Sequence, residues 1–232
     1  MVLELIYALI AGFGDILGGW LGLKTRIGKI MPRYIIGFAA GILISLTFLD
    51  VIPSVNTSYS WVIAAGFFTF YIIEKMVMLH ACGEQECAIH KLSGITVFGM
   101  ALDNIIDGVG IAVGYMTSPI LGLIITIGVL IHEIPQGITS GVIMKNGGYS
   151  KKKTYAVLAL SGLLYPIGTA ASSFLPAGFT PLALAFIAGD FLYIGASDLL
   201  PEAHKKFNFK VIASVLLGVG FVILLGSVFG PI

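Results

Sequence analysis

The sequence is poor in charged residues, which make up 11% of its 232 positions against roughly 25% in a typical soluble domain. Cysteine is also scarce, because Cys82 and Cys87 are the only two and are too few for a disulfide framework. The net charge of +1 gives no reason to expect nucleic acid as a partner. No basic leader precedes the first apolar stretch, so we expect no cleavable signal. These shortages, with 57% hydrophobic residues, favour a membrane protein with no separate soluble domain.

Long apolar stretches fill most of the chain. Each is about 20 residues long, which is enough to cross a bilayer as a helix. They lie near residues 2–22, 34–53, 60–80, 94–116, 119–143, 154–175, 181–200 and 210–230. We therefore predict an all-α polytopic membrane protein with eight transmembrane helices in one domain over residues 1–232, with a longer loop at 81–93.

The basic residues are confined to alternate loops. All thirteen lysines and arginines lie in or flank the loops after the first, third, fifth and seventh stretches, and the other loops and both ends have none. Because basic loops stay in the cytoplasm, we predict that both termini lie outside, in the plasma (inner) membrane. The basic residues are Lys24, Arg26, Lys29, Arg33, Lys75, Lys91, Lys145, Lys151, Lys152, Lys153, Lys205, Lys206 and Lys210.

The second and seventh stretches share a short repeat. Residues 38–41 (FAAG) precede the segment 50–53 (DVIP), and residues 186–189 (FIAG) precede 198–201 (DLLP) at the same spacing. The two stretches cross the membrane in opposite directions under the charge pattern. Inverted repeats are typical of alternating-access transporters, although chance similarity of so short a motif is the competing explanation.

Polar residues interrupt the fourth stretch at a depth where a charge costs several kcal/mol. Asp103 and Asp107 are four residues apart and therefore lie on one helix face, with Asn104 beside them. Two carboxylates at this spacing repel each other, and only a cation or protonation relieves the repulsion. Helix-to-helix hydrogen bonding is the competing explanation for Asn104.

The fifth stretch repeats this pattern with His132, Glu133 and Gln136. Oxygen and imidazole ligands in this mixture suit divalent transition metals from manganese and iron to zinc. We therefore predict a cation site between the two helices, and keep a proton relay through the same residues as an alternative.

The two motifs D-N-x-x-D-G (103–108) and H-E-I-P-Q-G (132–137) resemble the fourth- and fifth-span signatures of the ZIP family of divalent metal transporters. The motif S-G-x-x-x-P (161–166) and the eight-span layout resemble that family too. The resemblance implies an inverted-repeat bundle, a binuclear metal centre, movement of spans one, four, five and six against the rest, and often a homodimer. It assigns Asp103, Asp107, His132 and Gln136 to a first metal position, and Asn104, Asp107, Glu133 and Gln136 to a second.

Three residues depart from the usual family pattern. Asp103 stands in place of a histidine, Gln136 replaces a bridging histidine or carboxylate, and Tyr165 stands where many members have a glutamate. The first change replaces an imidazole ligand by a carboxylate, so the ligands of the first metal position are harder. The other two predict that the second metal position is weak, transient or absent.

Four further acids lie within or at the ends of apolar stretches. The resemblance gives Asp50 a metal-passing role, with a headgroup-facing acid as the alternative. Asp190 and Asp198 are candidates for the transport pathway, against a helix contact for Asp190 and solvation for Asp198. Asp15, in the first stretch, is ambiguous in the same way.

The loop after the third stretch carries six potential metal ligands. Its C-x₄-C spacing is wider than that of structural zinc knuckles, so a solvated loop is the alternative to metal capture. Its position resembles that of the histidine-rich cytoplasmic loop of ZIP proteins. The six residues are His80, Cys82, Glu84, Glu86, Cys87 and His90.

These observations predict a transporter that moves Zn²⁺, or Fe²⁺, Mn²⁺ or Cd²⁺, into the cytoplasm. The expected partners are the metal ion, the lipid bilayer and a second copy of the chain, with no cofactor and no catalytic residue. His132-Glu133 is also the start of the H-E-x-x-H motif of zinc proteases, so an intramembrane metalloprotease is one alternative. A proton-coupled carrier without metal is the other.

Overall fold

The computed structural model describes residues 2–24, 31–82, 94–205 and 208–229, and all regular structure in them is helical. The longer helices overlap the predicted apolar stretches one for one. The helices are α1 Val2–Lys24, α2 Met31–Leu46, α3 Ser60–Cys82, α4 Gly94–Thr117, α5 Pro119–Asn146, α6 Lys151–Ala171, α7 Thr180–Leu192, α8 Leu200–His204 and α9 Phe209–Phe229. Short 3₁₀ turns cover Ile52–Ser54, Thr57–Tyr59, Ser172–Phe174 and Ala177–Phe179.

Six helical segments of the described chain are long and apolar enough to cross a membrane. They are Val2–Lys24, Arg33–Ser54, Pro119–Asn146, Lys151–Phe174, Thr180–His204 and Phe209–Phe229. The other two long helices, α3 and α4, have 23 and 24 residues, or roughly 35 Å at 1.5 Å per residue. This architecture is that of a polytopic helical membrane protein, while the count of eight crossings stays a prediction.

Local sequence determines where α5 and α6 begin. The Ser118 hydroxyl accepts a hydrogen bond from the backbone N–H of Leu121 at 3.0 Å, and Pro119 follows it as the first helical residue. Ser150 caps α6 in the same way through the N–H of Lys153 at 3.3 Å. Such caps satisfy backbone donors that a helix start would otherwise leave unpaired.

The long helices pack in two groups. Helices α1, α4, α5 and α6 contact one another extensively, while α2 packs on α9 and α3 packs on α7. Within the first group, glycines allow backbones to touch: a Cβ at Gly18 or Gly22 would overlap a carbonyl oxygen of α5, and one at Gly12 would overlap a carbonyl oxygen of α6. Small residues at helix contacts are the usual means of close packing in membranes.

The α2–α9 and α3–α7 pairs make the same reciprocal contact. In each pair the glycine of the repeated motif abuts a carbonyl of the partner helix. A partner glycine three residues further along abuts the carbonyl of the motif phenylalanine. The contacts are Gly41 with Val215 and Gly218 with Phe38 in one pair, and Gly189 with Ile63 and Gly66 with Phe186 in the other.

Each repeated motif is also followed by a π-helical turn, Thr47–Val51 after α2 and Tyr193–Leu199 after α7. Ile52 donates its N–H to the carbonyl of Thr47, five residues back, and Leu200 donates to Gly195 in the same way. Both donors immediately precede a proline, which has no N–H to continue the regular pattern. The sequence repeat is therefore matched by a repeat in backbone geometry.

Candidate metal centre

Helices α4 and α5 bring three fully buried ligand groups together. Asp107, His132 and Glu133 are each 0% exposed, and one potential ligand atom from each lies within 4.8 Å of the others. The Nε2 atom of His132 is 3.3 Å from Oδ2 of Asp107 and 3.1 Å from Oε1 of Glu133. These are the two motifs that the sequence placed on neighbouring spans.

The backbone of α5 sets the orientation of the histidine ring. The Nδ1 atom of His132 lies 3.1 Å from the carbonyl oxygen of Gly128, one turn earlier. Because a carbonyl can only accept a hydrogen bond, Nδ1 carries a proton and donates. The other nitrogen, Nε2, then points at the two carboxylates, and a ligating histidine is commonly held in this way.

The polar atoms at the centre of this cluster lie against one another. Nε2 of His132 is at ion-pair distance from both carboxylates, but no described residue makes a well-aligned hydrogen bond to the carboxylate oxygens of Asp107 and Glu133 or to that nitrogen. Buried polar atoms are rarely left unpaired, and buried like charges are costly. Protons could relieve this arrangement, and one divalent cation would satisfy all three residues at once.

The remaining three predicted ligands flank this cluster. Gln136 donates from Nε2 to Oδ2 of Asp103 at 2.9 Å, and both side chains are half-buried. Asn104 is buried and donates from Nδ2 to the hydroxyl oxygen of Ser161 at 2.6 Å and to its carbonyl at 3.2 Å. This leaves Oδ1 of Asn104 without a hydrogen bond from any described residue, so that atom is available as a ligand.

The pathway candidates fall in different environments. Asp190 on α7 is fully buried, has no hydrogen-bond partner among the described residues, and lies within electrostatic range of Asp103, Asp107 and His132. Asp50 is buried in the first π-helical turn. Asp198, in the second π-helical turn, is exposed and lies within electrostatic range of Asp103, so its pathway role stays a prediction.

Tyr165 takes the position beside the centre where many ZIP members have an acid. Its side chain on α6 is 0% exposed, and its hydroxyl interacts with the Glu133 carboxylate. It lies within electrostatic range of Glu133, Asp15 and Asp107. Tyr165 therefore faces the centre with a neutral oxygen.

The predicted cytoplasmic metal ligands cannot be placed. Glu84, Glu86, Cys87 and His90 lie outside the described residues, and so do the side chains of His80 and Cys82, whose backbone ends α3. The loop prediction is unchanged.

Two residues near this centre were not assigned a role from the sequence. Ser161 holds Asn104 from a helix 57 residues away, and no local pattern marks such a pair. Asp15 on α1 is 1% exposed and interacts with Ser161 and Glu133. A signal existed for Asp15, since a lone acid in an apolar span is a functional candidate by default.

Fold and site together define a helical integral membrane protein with a buried candidate metal centre. The sequence profile described as "ZIP Zinc transporter" matches residues 80–226, well over half of the chain. The chain belongs to the ZIP zinc transporter family. Members of this family are transporters and not enzymes, so the metalloprotease alternative is excluded and the prediction of a non-enzyme is confirmed.

Individual relatives are also named as metal transporters. The chain is 29% identical over 210 residues to "Zinc transporter ZIP13" of Pongo abelii, covering 79% of this chain and 62% of that protein. It is 24% identical over 249 residues to "Zinc transporter ZupT" of Chlorobium limicola, covering 93% and 94%. It is 33% identical over 112 residues to "Metal cation symporter ZIP8" of Rattus norvegicus, covering 48% and 24%. The chain thus spans less than two thirds of ZIP13 and a quarter of ZIP8, but nearly all of ZupT.

Proposed function

We propose that this protein transports divalent transition-metal ions, Zn²⁺ foremost with Fe²⁺, Mn²⁺ and Cd²⁺ as further substrates, across a membrane. The observation that carries the proposal is the convergence of Asp107, His132 and Glu133 with unpaired ligand atoms inside 4.8 Å. Two carboxylates supply the charge that matches one dication, and an imidazole nitrogen suits a borderline metal such as zinc. The names of the relatives, zinc transporters and a metal cation symporter, support the same substrate class.

The proposed mechanism is alternating access. The site belongs to the group of α1, α4, α5 and α6, while Asp190 faces it from α7 in the other group. A relative displacement of the two groups would alter the surroundings of the metal without breaking the helices. The matched contacts and π-helical turns of the two repeats support an inverted-repeat bundle, the architecture in which such motion is common.

We further propose eight crossings with both termini outside, transport toward the cytoplasm, residence in the plasma (inner) membrane and assembly as a homodimer. The charge pattern supports the eight crossings and the outside termini, because all basic residues lie in or flank alternate loops. Asp50 on the outer side and the ligand-rich loop 81–93 on the inner side would then lie at the entry and exit of one pathway.

Uptake by purified protein tests the proposal. Proteoliposomes carrying a zinc-sensitive dye are exposed to Zn²⁺, and the expected result is saturable dye response with wild type. The variants Asp107→Ala and His132→Ala should lose this response while eluting as folded protein. Glu202→Gln, which removes an exposed acid on α8, is the control for loss of charge and should retain uptake.

The same experiment distinguishes metal transport from the alternative of a proton-coupled carrier without metal. A proton-coupled carrier of another solute would give no zinc uptake with wild type, and no difference between wild type and the two variants. Zinc uptake that survives both Asp107→Ala and His132→Ala would instead refute the site.

A further inference from the structure

A surface of purely positive charge lies where α1 and α5 end and α6 begins. The sequence has no aspartate or glutamate between Asp15 and Asp50, and none between Glu133 and Asp190. Within these two acid-free segments, the described helix ends carry five exposed lysines, which we call the lysine cluster. They are Lys24, Lys145, Lys151, Lys152 and Lys153.

Helix packing brings the members of the lysine cluster to one end of the molecule. Contacts that come later along α1 fall on earlier residues of α6, so the two helices run antiparallel and the end of α1 is level with the start of α6. A hydrogen bond joins the end of α5 to the same place. The contacts are Gly12 with Gly162, Gly19 with Leu158, and the Lys145 Nζ atom donating to the Leu23 carbonyl at 3.3 Å.

The lysines of the cluster contact neutral groups. The Nζ atom of Lys24 lies 4.2 Å from the centroid of the Trp20 ring, and that of Lys153 lies 4.6 Å from the centroid of the Tyr149 ring. None of the ion pairs in the described chain includes a member of the cluster. Aromatic rings attract a cation without cancelling its charge, so the cluster keeps its positive charge.

Lysines at the ends of two helices in the other group are arranged differently. Lys75 on α3 is 3.0 Å from the carboxylate of Glu74, and Lys205, just after α8, is ion-paired with Glu202. Asp198 is also within electrostatic range of both lysines. Positive charge that no acid offsets is therefore concentrated on α1, α5 and α6, the group that carries the metal centre.

Exposed apolar side chains adjoin the lysine cluster, toward the middle of the same three helices. A soluble anion would use only the lysines, whereas a phospholipid has a charged headgroup for the lysines and acyl chains for the apolar side chains. Long basic side chains reach the headgroup level in this way while their helices stay in the apolar layer. The apolar residues are Leu17, Trp20, Val142, Leu160 and Leu163.

We infer that the lysine cluster and these apolar side chains form a binding surface for anionic phospholipid. The headgroup phosphate lies among the lysines, and the acyl chains lie along the exposed side chains of α1, α5 and α6. A lipid bound here contacts three of the four helices that surround the metal centre. The surface is separate from that centre, and the inference does not depend on the substrate or the direction of transport.

Tryptophan fluorescence in proteoliposomes tests the inference at the surface itself. The chain has two tryptophans, so Trp61→Phe leaves Trp20, beside Lys24, as the reporter. Trp20→Phe leaves Trp61, which is exposed near the start of α3, as the internal control. Quenching by brominated phosphatidylglycerol is compared with quenching by brominated phosphatidylcholine at equal mole fractions, in a bilayer of unlabelled phosphatidylcholine.

The expected result is selective quenching of Trp20 by the anionic lipid. Each lysine near an anionic headgroup contributes roughly fivefold in affinity, so the preference for phosphatidylglycerol over phosphatidylcholine should be about fivefold or more. High salt should reduce it, because salt screens charges exposed at the surface. Trp61 should report a ratio near one. A ratio near one at Trp20, or the same preference at both tryptophans, would overturn the inference.

Two sets of substitutions locate the preference. Lys151→Gln, Lys152→Gln and Lys153→Gln together should bring the ratio at Trp20 close to one. Lys75→Gln, Lys205→Gln and Lys210→Gln together remove the same charge from the ends of helices in the other group and should leave the ratio unchanged. These lysines are exposed, so neither set disturbs the core. A preference that survives the first set, or falls equally in both, would refute the lysine cluster as the lipid site.

Discussion

The Nε2 atom of His132 on α5 lies 3.3 Å from Oδ2 of Asp107 on α4. The opposite ring nitrogen donates to the Gly128 carbonyl, so rotation of the ring away from Asp107 would cost that hydrogen bond. The relationship joins two helices through a histidine nitrogen and a carboxylate oxygen at ion-pair distance. Both atoms are also potential ligands for one cation.

Ser161→Ala should weaken zinc binding. The substitution removes the hydroxyl that receives the Asn104 amide at 2.6 Å, so the amide oxygen loses its fixed direction. Changes in such supporting residues cost about 10- to 100-fold in metal affinity, and isothermal titration with Zn²⁺ measures the loss. Ser173→Ala, at an exposed position just beyond α6, should bind as wild type. Equal affinities in the two variants would contradict the role given to Ser161.

Gly18→Ala should destabilise the contact between α1 and α5. The added methyl would overlap the Ile134 carbonyl, and overpacking of this kind costs about 1–3 kcal/mol. Thermal unfolding followed by tryptophan fluorescence should show a lower midpoint than wild type. Gly226→Ala on α9 is the control, because nothing lies within 4 Å of a Cβ built there, and its midpoint should not fall. Matched midpoints for the two variants would argue against close backbone packing at Gly18.

Gly41→Ala and Gly189→Ala should have similar effects. Each glycine abuts a partner carbonyl in one of the two equivalent helix pairs, Val215 for the first and Ile63 for the second. If the pairs are true repeats, the two substitutions meet the same steric barrier, and each should cost about 1–3 kcal/mol. Unfolding midpoints compared with those of Gly226→Ala measure this. A large loss in one variant and none in the other would contradict structural equivalence.

The helices and the ligand motifs were accessible from sequence because both are local properties. Apolar length marks a span, and a serine followed by proline marks the start of α5. The four-residue spacings place Asp103 with Asp107, and His132 with Gln136, on one helix face each. Which members of the two motifs converge depends on how the helices rotate about their axes, and local spacing does not specify that.

Some features of the structure were not predicted from the sequence, and each has a physical cause. The stretches 34–53 and 181–200 were expected as plain spans, but each contains a π-helical turn. These turns form where the residue before a proline donates to the carbonyl five residues back. The pairing of Gln136 with Asp103 joins residues 33 apart in sequence, and the approach of Asp15 to α5 depends on Gly137. Tertiary packing decides both, and periodicity along one helix contains no information about it.

Cysteine labelling should establish the orientation predicted from the basic loops. Ser58 lies exposed between α2 and α3, and Asn146 is the exposed last residue of α5, so neither substitution disturbs a buried contact. In a background with Cys82→Ala and Cys87→Ala, we expect Ser58→Cys to react with a membrane-impermeant maleimide on intact cells. Asn146→Cys should react only after permeabilisation, because Lys145 and Lys151 to Lys153 flank it and basic segments remain cytoplasmic. Labelling of both positions from outside would require an even number of crossings between them and would contradict the eight-span topology, which places three there. The reverse labelling pattern would indicate the opposite orientation in the membrane.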